Sequence, residues 1–324
     1  MCEASYIGTL AKFWLGRGLE PRYIVPGQKR NVLLCGSARS GTTWLKDIVN
    51  FANQYCYTDE PFNCDRVKIC AHFSDRQYLR PDDNDIRFLA PAYVCLAGGI
   101  RSRWIDRSKR EAIAKPLLIK DVRSNLMLKW IRNHFPGMPI VMLVRHPCAV
   151  AVSKIKLGWT IDLEHAYLSQ KDLVADHLSG FLHVIRGADN DFEKHIIAWC
   201  IETRVPFTQL ERGDVHIVFY ESLYSAPEIE LPKLFRHINQ PFDSLALTHL
   251  TRPSATDYNN KCDVSAMSAR DGRINLWRRH VSLAELASAD RILKVFGLDQ
   301  VYDETYMPNY EKAESLLGQT PEKI

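Results

Sequence analysis

Residues 31–44 read NVLLCGSARSGTTW, and this stretch decides the fold. The run 31–35 is mostly apolar and predicts a short buried strand, while a helical pattern covers 43–53. Between them, Gly36 and Gly41 let the backbone curl, so that its N–H groups and the start of the helix can attract an anion. A strand, a glycine-rich turn and a helix in this order therefore predict a phosphate-binding loop.

Three further apolar runs have the same character. Each is short and nearly continuous, as expected for a strand that is buried on both faces of a sheet. They are residues 116–119 (PLLI), 139–144 (PIVMLV) and 215–219 (VHIVF). Helical patterns alternate with them over residues 125–134, 149–156 and 191–211. This alternation predicts an α/β fold, with a P-loop-like central parallel sheet and helices on both of its faces.

The length of 324 residues, without a low-complexity linker, predicts a single domain over residues 1–324. We interpret residues 1–30 as an N-terminal extension. Residues 75–115 and 157–190 are interpreted as insertions that shape the acceptor site, since insertions at the carboxyl ends of strands usually build the site of such a sheet. The formal net charge of +4 argues against a nucleic-acid partner but permits a local basic pocket for an anionic ligand.

The cysteines and the apolar stretches bear on the compartment. The nine cysteines include no pair with CxxC spacing, so neither a zinc site nor a disulfide framework is predicted, and a reduced, cytoplasmic environment is expected. The stretch 6–15 lacks a cationic start and is interpreted as a short helix rather than a signal peptide. The longest near-apolar run, 88–100, is broken by Pro91 and is too short to cross a membrane.

Two departures separate the loop from that of a nucleotide triphosphatase. Thr42 stands where those enzymes have a lysine, and Arg145 follows the run 139–144 where they have a Mg²⁺-binding aspartate. An arginine cannot ligate Mg²⁺, but it can bind a phosphate directly. Arg39 also places a guanidinium inside the turn, where it suits bidentate phosphate binding. The pattern therefore indicates phosphate binding without a metal.

The sequence GSARSGTTW at 36–44 resembles the 5′-phosphosulfate loop of the sulfotransferases that depend on 3′-phosphoadenosine-5′-phosphosulfate (PAPS), a Lys or Arg followed by SGTTW or SGSSF. The resemblance implies PAPS as the donor and adenosine 3′,5′-bisphosphate (PAP) as the product. It also implies that Trp44 stacks on adenine, which its large flat face suits. The residues that it assigns to the 5′-phosphate and the sulfuryl oxygens are Arg39, Ser40, Gly41, Thr42 and Thr43.

A second motif concerns the 3′-phosphate. Residues 144–153, VRHPCAVAVS, resemble the family's 3′-phosphate motif, and Arg145 and Ser153 match it residue for residue. The 3′-phosphate distinguishes PAPS from ordinary adenine nucleotides, so this pair points to the identity of the donor.

Two shorter segments also resemble the family. Residues 270–278, RDGRINLWR, resemble the segment that wraps the 3′-phosphate. They retain Arg270 and Gly272 but carry Asp271 where the family has a lysine, which leaves that contact in doubt. YESL at 220–223 resembles the family's YEDL, in which the tyrosine, here Tyr220, approaches adenine.

The acceptor must lose a proton as it attacks, so a general base is expected. Glu60 is the first candidate, since the carbohydrate and tyrosyl-protein sulfotransferases have a Glu at the same offset from the loop. The chain is expected to return there from the first helix toward the loop, with Pro61 holding Glu60 in an extended geometry. Asp121 and His72 are the second and third candidates. Lys120 matches a family lysine and can stabilise charge on the bridging oxygen. The hormone-type enzymes place a His two residues after that lysine, and this sequence has valine there.

The resemblance thus predicts a metal-independent sulfotransferase, in which Arg39, Lys120 and Arg145 supply the charge that Mg²⁺ supplies elsewhere. The acceptor is expected to be a small molecule, a glycan or a glycolipid, and a bacterial enzyme of this kind fits the lack of a predicted membrane anchor. Two alternatives stay open, a P-loop kinase acting on a small alcohol and a nucleotide-binding protein without catalysis. The oligomeric state is left open.

Overall fold

The computed structural model describes residues 31–100, 104–105, 115–250 and 274–319. Its centre is a sheet in the order β2-β3-β1-β4-β5, in which every neighbouring pair is parallel. The strands are β1 (Val32–Cys35), β2 (Cys56–Asp59), β3 (Leu117–Lys120), β4 (Ile140–Val144) and β5 (His216–Phe219). The predicted α/β fold with a central parallel sheet is therefore confirmed.

Helices follow most of the strands. In chain order they are α1 (Thr42–Val49), α2 (Ile86–Ala97), α3 (Leu128–His134), α4 (Pro147–Ile155), α5 (Asp191–Gln209), α6 (Tyr220–Ser225), α7 (Pro227–His237), α8 (Leu283–Val295) and α9 (Tyr310–Ser315). Short helical turns occupy Glu164–Leu168, Lys171–Leu173, Val174–Leu178, Ser179–Phe181 and Leu182–Arg186. Single 3-10 turns lie at Lys68–Cys70, Asn125–Met127, Ser244–His249, Leu276–His280 and Asp299–Val301. None of the described helices is long and apolar enough to span a membrane.

The two faces of the sheet bury separate sets of apolar side chains, because successive residues of a strand point to opposite faces. From β1, Val32 and Leu34 pack with α1, α6 and α7 on one face. Leu33 and Cys35 pack on the other face with α2, α3, α4, α5 and α8. Both faces are thus covered by helices, and the central strands β1 and β4 are apolar throughout.

The predicted boundaries hold for four strands, but four features differ. The edge strand β2 was not predicted, and α1 ends at Val49 instead of near residue 53. Within the interpreted insertion 75–115, α2 buries Leu89 and Cys95 in the main core, although Pro91 lies inside it. The segment 157–190 likewise buries apolar side chains through its short helical turns. Both segments therefore belong in part to the packed core.

Parallel strands end at the same edge of a sheet, and ligands of open α/β sheets bind outside that edge. Here the residues that follow β2, β3, β1, β4 and β5 lie side by side in that order. They are, respectively, Glu60, Asp121, Gly36, Arg145 and Tyr220. Each of these positions belongs to one of the motifs found in the sequence.

Candidate functional site

The loop after β1 is pressed against the neighbouring strand. Gly36 has φ 144°, and a Cβ there would lie 2.3 Å from the carbonyl oxygen of Leu143 in β4, so only glycine fits. The Gly36 N–H donates to Asn125 Oδ1 at 3.1 Å. Gly41 (φ 101°) ends the loop, where a Cβ would lie 3.0 Å from the Tyr220 ring. These contacts fix both ends of the loop against β4 and α6.

The start of α1 faces this loop with its backbone donors uncapped. Gly41 is its N-cap residue and provides no side-chain hydrogen bond. The first N–H groups of a helix have no partner within the helix and carry a partial positive charge. The Ser40 hydroxyl is buried and has no hydrogen-bond partner among the described residues. The residues present thus fit an anion that would accept hydrogen bonds from the loop and from α1.

The two predicted phosphate motifs meet directly. Arg39 Nε donates to Ser153 Oγ at 3.0 Å, and Ser153 lies in the last turn of α4. Arg39 has φ 77°, a left-handed conformation that costs a non-glycine residue about 1–2 kcal/mol. Backbone strain of this kind persists where the surrounding structure fixes it, and it concentrates at functional sites.

Arg145 lies on the other side of the loop. Its Nη1 donates to the Arg39 carbonyl at 3.2 Å, and its guanidinium lies over the Tyr220 ring, 4.4 Å from the centroid. The Trp199 indole of α5 donates to the Arg145 carbonyl at 2.9 Å. Arg145 Nε is buried and has no partner among the described residues. A held guanidinium with a donor to spare is suited to an anionic ligand.

The residue after Arg145 anchors the strand end in the core. The His146 ring stacks on Trp277 with the ring centroids 4.4 Å apart, and the backbone N–H of His146 donates to Glu221 Oε1 at 2.9 Å. Burial, and then the charge of Arg145, lower the pKa of His146 to about 3, so this imidazole is neutral at physiological pH. Trp277 thereby connects the C-terminal motif to the end of β4. Arg270 and Gly272 of that motif lie outside the described residues.

Trp44 and Tyr220 form one aromatic cluster. Their ring centroids are 5.1 Å apart, and Tyr224 lies 5.8 Å from Trp44. The Trp44 indole donates to the Leu250 carbonyl at 3.2 Å, and its side chain is nearly buried. The structure thus brings both predicted adenine contacts together, beside the loop and under Arg145. Their contact with adenine stays a prediction.

Glu60 lies at the carboxyl end of β2, where two cations hold its carboxylate. Lys120 Nζ donates to Glu60 Oε1 at 2.6 Å and to Asp59 Oδ1 at 3.1 Å, and Arg123 Nη1 donates to Glu60 Oε2 at 2.6 Å. Burial raises the pKa of Glu60, but the charges of Lys120 and Arg123 outweigh it and hold the pKa below its usual value. The candidate base is therefore ionised at neutral pH.

The backbone at Glu60 differs from the sequence-based expectation. A residue before proline is normally extended, and we expected Pro61 to impose that geometry, but Glu60 has φ 45°. The chain does return from α1 toward the loop, as expected, but it does so through the missed strand β2 and not through a loop. The Glu60 N–H donates to the Lys120 carbonyl at 2.7 Å, and this bond extends the pairing of β2 with β3 by one residue.

The two other candidate bases are placed differently. Asp121 is fully buried and accepts hydrogen bonds from the backbone N–H groups of Phe62 (3.0 Å) and Arg123 (2.7 Å). Burial raises its pKa to about 6. His72 is exposed, with Nε2 2.5 Å from the Arg87 carbonyl oxygen. Asp121 thus supports the turn that carries Glu60, while the contacts of His72 are with residues near α2.

Sequence reasoning missed several residues of the site. Arg123 was given no role by the sequence, yet its Nη1 pairs with Glu60 and its Nε lies 2.6 Å from Asp75 Oδ1. Asn125, which holds Gly36, begins the 3-10 turn Asn125–Met127 after β3, and the sequence assigned it only to a predicted helix. Among the described residues, no group of three or more His, Cys, Asp or Glu side chains is placed to hold a metal ion. Independence of a metal stays a prediction.

The sulfotransferase family model matches residues 31–244, about two thirds of the chain. The chain therefore belongs to the sulfotransferase family and is an enzyme of sulfuryl transfer. This confirms the predicted family and decides against the kinase and the non-catalytic alternatives. No curated protein matches the sequence.

Solved structures of sulfotransferases resemble the fold of this chain at low sequence identity. The sulfotransferase domain from the curacin biosynthetic pathway is 17% identical with a TM-score of 0.47, and the match covers 84% of this chain and 99% of that one. Mouse sulfotransferase SULT7A1 complexed with PAP is 14% identical with a TM-score of 0.43, over 90% of this chain and 89% of that one. Retinol dehydratase in complex with androsterone and inactive cofactor PAP is 14% identical with a TM-score of 0.45, and the match covers 88% of this chain and 85% of that one. With scores below 0.5, the family assignment depends on the family model.

Proposed function

We propose that this sulfotransferase takes its sulfuryl group from PAPS and transfers it to a hydroxyl or amine of a small-molecule, glycan or glycolipid acceptor. The observation that carries the proposal is the contact between Arg39 and Ser153 at the start of α1. It joins the motif for the 5′-phosphosulfate to the motif for the 3′-phosphate. A donor with phosphates at both positions would use both.

The loop and its neighbours divide the work of donor binding. The backbone N–H groups of the loop, the Ser40 hydroxyl and Arg39 bind the 5′ side. Arg145 and Ser153 bind the 3′-phosphate, and the free Nε of Arg145 supports this role. Thr42 and Thr43 begin α1 and add hydroxyl groups to the 5′ side.

Glu60 and Lys120 perform the transfer step in this proposal. PAPS supplies a sulfuryl group on a good leaving group. The acceptor O–H or N–H loses its proton to Glu60 while its lone pair forms the new bond to sulfur, and the bond from sulfur to the 5′-phosphate oxygen breaks. Lys120 stabilises the charge that develops on that oxygen, and PAP leaves with the electron pair.

The 2.6 Å contact between Lys120 and Glu60 supports this division, because it holds the base beside the cation on the strand next to β1. For Glu60 to receive a proton, the acceptor must reach an oxygen that already accepts from a cation. A carboxylate oxygen can accept more than one hydrogen bond, so the contacts with Lys120 and Arg123 leave room for that.

Calorimetry with PAP, AMP and ATP, without added Mg²⁺, tests the donor. PAP should bind far more tightly than the other two, because AMP and ATP both lack the 3′-phosphate that Arg145 and Ser153 are proposed to bind. Equal affinity for AMP would remove the case for a 3′-phosphate site. A panel of hydroxyl and amine acceptors with labelled PAPS then identifies the acceptor class. Transfer to no member of the panel, despite tight PAP binding, would overturn the proposed acceptor classes but not the donor.

A further inference from the structure

Two consecutive residues at the end of α4 hold the loop from behind. Ser153 accepts the hydrogen bond from Arg39, and Lys154 Nζ donates to Ser37 Oγ at 3.2 Å. Lys154 is 2% exposed, so its ammonium group is enclosed by protein and does not face solvent. The sequence analysis gave Lys154 no role.

The surroundings of Lys154 compensate its charge only in part. Glu202 of α5 is buried nearby and interacts with Ser37 as well, but its Oε1 accepts from Arg76 Nε at 2.5 Å and from the Tyr167 hydroxyl at 2.9 Å. Among the described residues, Lys154 forms no ion pair with a carboxylate, and its hydrogen-bond partner is the neutral Ser37 hydroxyl. An ammonium group buried in this way is costly, since desolvation disfavours the charged form.

An anion in the loop would supply the missing compensation. Burial lowers the pKa of Lys154 to about 8, with Glu202 opposing that shift and Arg76 adding to it. Asp75 and His195 are the other titratable groups whose charges act on it. Lys154 is therefore partly deprotonated at mildly alkaline pH. A phosphate bound on the other side of Ser37 would favour the protonated form.

We propose that Lys154 is a positioning residue that supplies from behind the loop the positive charge missing at Thr42, and that donor binding draws a proton onto it. This inference depends on the proposed function, because PAP or PAPS is the anion that it invokes. In this proposal the Lys154–Ser37 hydrogen bond orients the loop, and the ammonium charge makes the electrostatic potential at the loop more positive.

Calorimetry of PAP binding in two buffers with different ionisation enthalpies tests the proposal. At pH 8.5, PAP binding should take up protons, and at pH 7.0 it should take up fewer because Lys154 is already protonated. The phosphates of PAP have a second pKa of about 6, so they are already ionised at pH 8.5 and contribute little to proton uptake there. The affinity for PAP should fall as the pH rises from 7 to 9, since the charge on Lys154 is then lost.

Two substitutions and a matched control sharpen the test. Lys154→Met should weaken PAP binding at pH 7 by about fivefold or more, a typical coupling between linked sites, and should abolish proton uptake. Lys154→Arg carries a permanent charge and should restore affinity at pH 9 without proton uptake. Lys156→Met, two residues further on the exposed surface, should behave like the wild type.

The outcomes separate this inference from the proposed function. If the wild type does not bind PAP, the proposed donor is wrong, and the inference falls with it. If PAP binds without proton uptake at pH 8.5, and Lys154→Met binds as tightly as the wild type, the proposed donor survives and the role of Lys154 is wrong. Should neither variant fold, proton uptake by the wild type decides alone.

Discussion

The sharpest prediction is that Glu60→Gln removes catalysis while donor binding survives. Glutamine keeps the shape of the side chain but is no longer a base at neutral pH. Turnover with labelled PAPS should fall by about 10²–10⁴, the usual contribution of a general base. That is about 2.7–5.5 kcal/mol of activation free energy. The affinity for PAP by calorimetry should stay within about threefold, because the loop and Arg145 are untouched.

The cost in stability follows from the cations that Glu60 holds. Losing one partner of a buried ion pair usually costs about 3–5 kcal/mol. Here Lys120 keeps Asp59 and Arg123 keeps Asp75, so we expect only about 1–2 kcal/mol of the free energy of unfolding. The pKa of Glu60 is depressed, so its contribution is present above the ordinary glutamate pKa and is lost as the pH falls through the folded value. Urea unfolding of the wild type and Glu60→Gln at pH 7 and at pH 4 would measure the stability cost and its decrease at low pH.

Asp121→Asn is the matched control, since Asp121 is a carboxylate one strand away that accepts only backbone hydrogen bonds among the described residues. We expect it to lower stability by about 1–3 kcal/mol, because the amide leaves one backbone N–H unsatisfied. Its turnover at a temperature where it stays folded should fall less than tenfold. Near-normal turnover in Glu60→Gln, together with loss of turnover in Asp121→Asn and intact PAP binding, would refute the assignment of the base.

Three further predictions concern the loop, the donor and the response to pH. Gly36→Ala should destabilise the protein in thermal melts by about 3 kcal/mol or more, because its Cβ would collide with the Leu143 carbonyl; Gly137→Ala, with φ 87° but open space, should cost only about 1–2 kcal/mol. Arg145→Ala should weaken PAP binding by about 1.5–3 kcal/mol in calorimetry, the range for a charged hydrogen bond, and AMP binding much less. Burial lowers the pKa of His216 to about 4, so that as the pH falls this side chain is protonated in the unfolded chain before it is protonated in the folded one. The wild type should therefore lose stability relative to His216→Gln as the pH falls from about 6.5 to about 4. The same stability difference between the two proteins at both pH values, measured by urea unfolding, would contradict this.

A strand could be predicted from the sequence where it forms a continuous apolar run. A continuous apolar run such as 140–144 suits a strand buried on both faces, and the structure has one there. β2, with the sequence CYTD, offers no such run. It forms because its backbone pairs with β3 and because Asp59 finds Lys120 at the paired position. Pairing of this kind is tertiary and leaves no periodic signal.

The proposed donor side of the site could be predicted further than the proposed acceptor side. Arg39, Arg145 and Ser153 stand at fixed positions relative to a strand and a helix, so their motifs carry their geometry with them. Lys154 and Glu202 could not be found this way, since charged residues on helices usually face solvent. The available signal was that Lys154 follows the run 147–152, which is apolar on every face. Such a run is buried on all sides, and Lys154, just after it, is buried as well.

The order of the strands relates these two sides to each other. β1 carries the loop in the centre of the sheet, β4 with Arg145 lies on one side of it, and β3 with Lys120 lies on the other. If the proposed donor places its 5′-phosphate in the loop and its 3′-phosphate at Arg145, the sulfuryl group on the 5′-phosphate is expected to point away from β4, toward β3. Glu60 follows β2, beyond β3, and is held there by Lys120. The sheet order therefore explains why loss of Arg145 is expected to weaken PAP binding, whereas loss of the Glu60 carboxylate is expected to lower turnover and leave PAP binding intact.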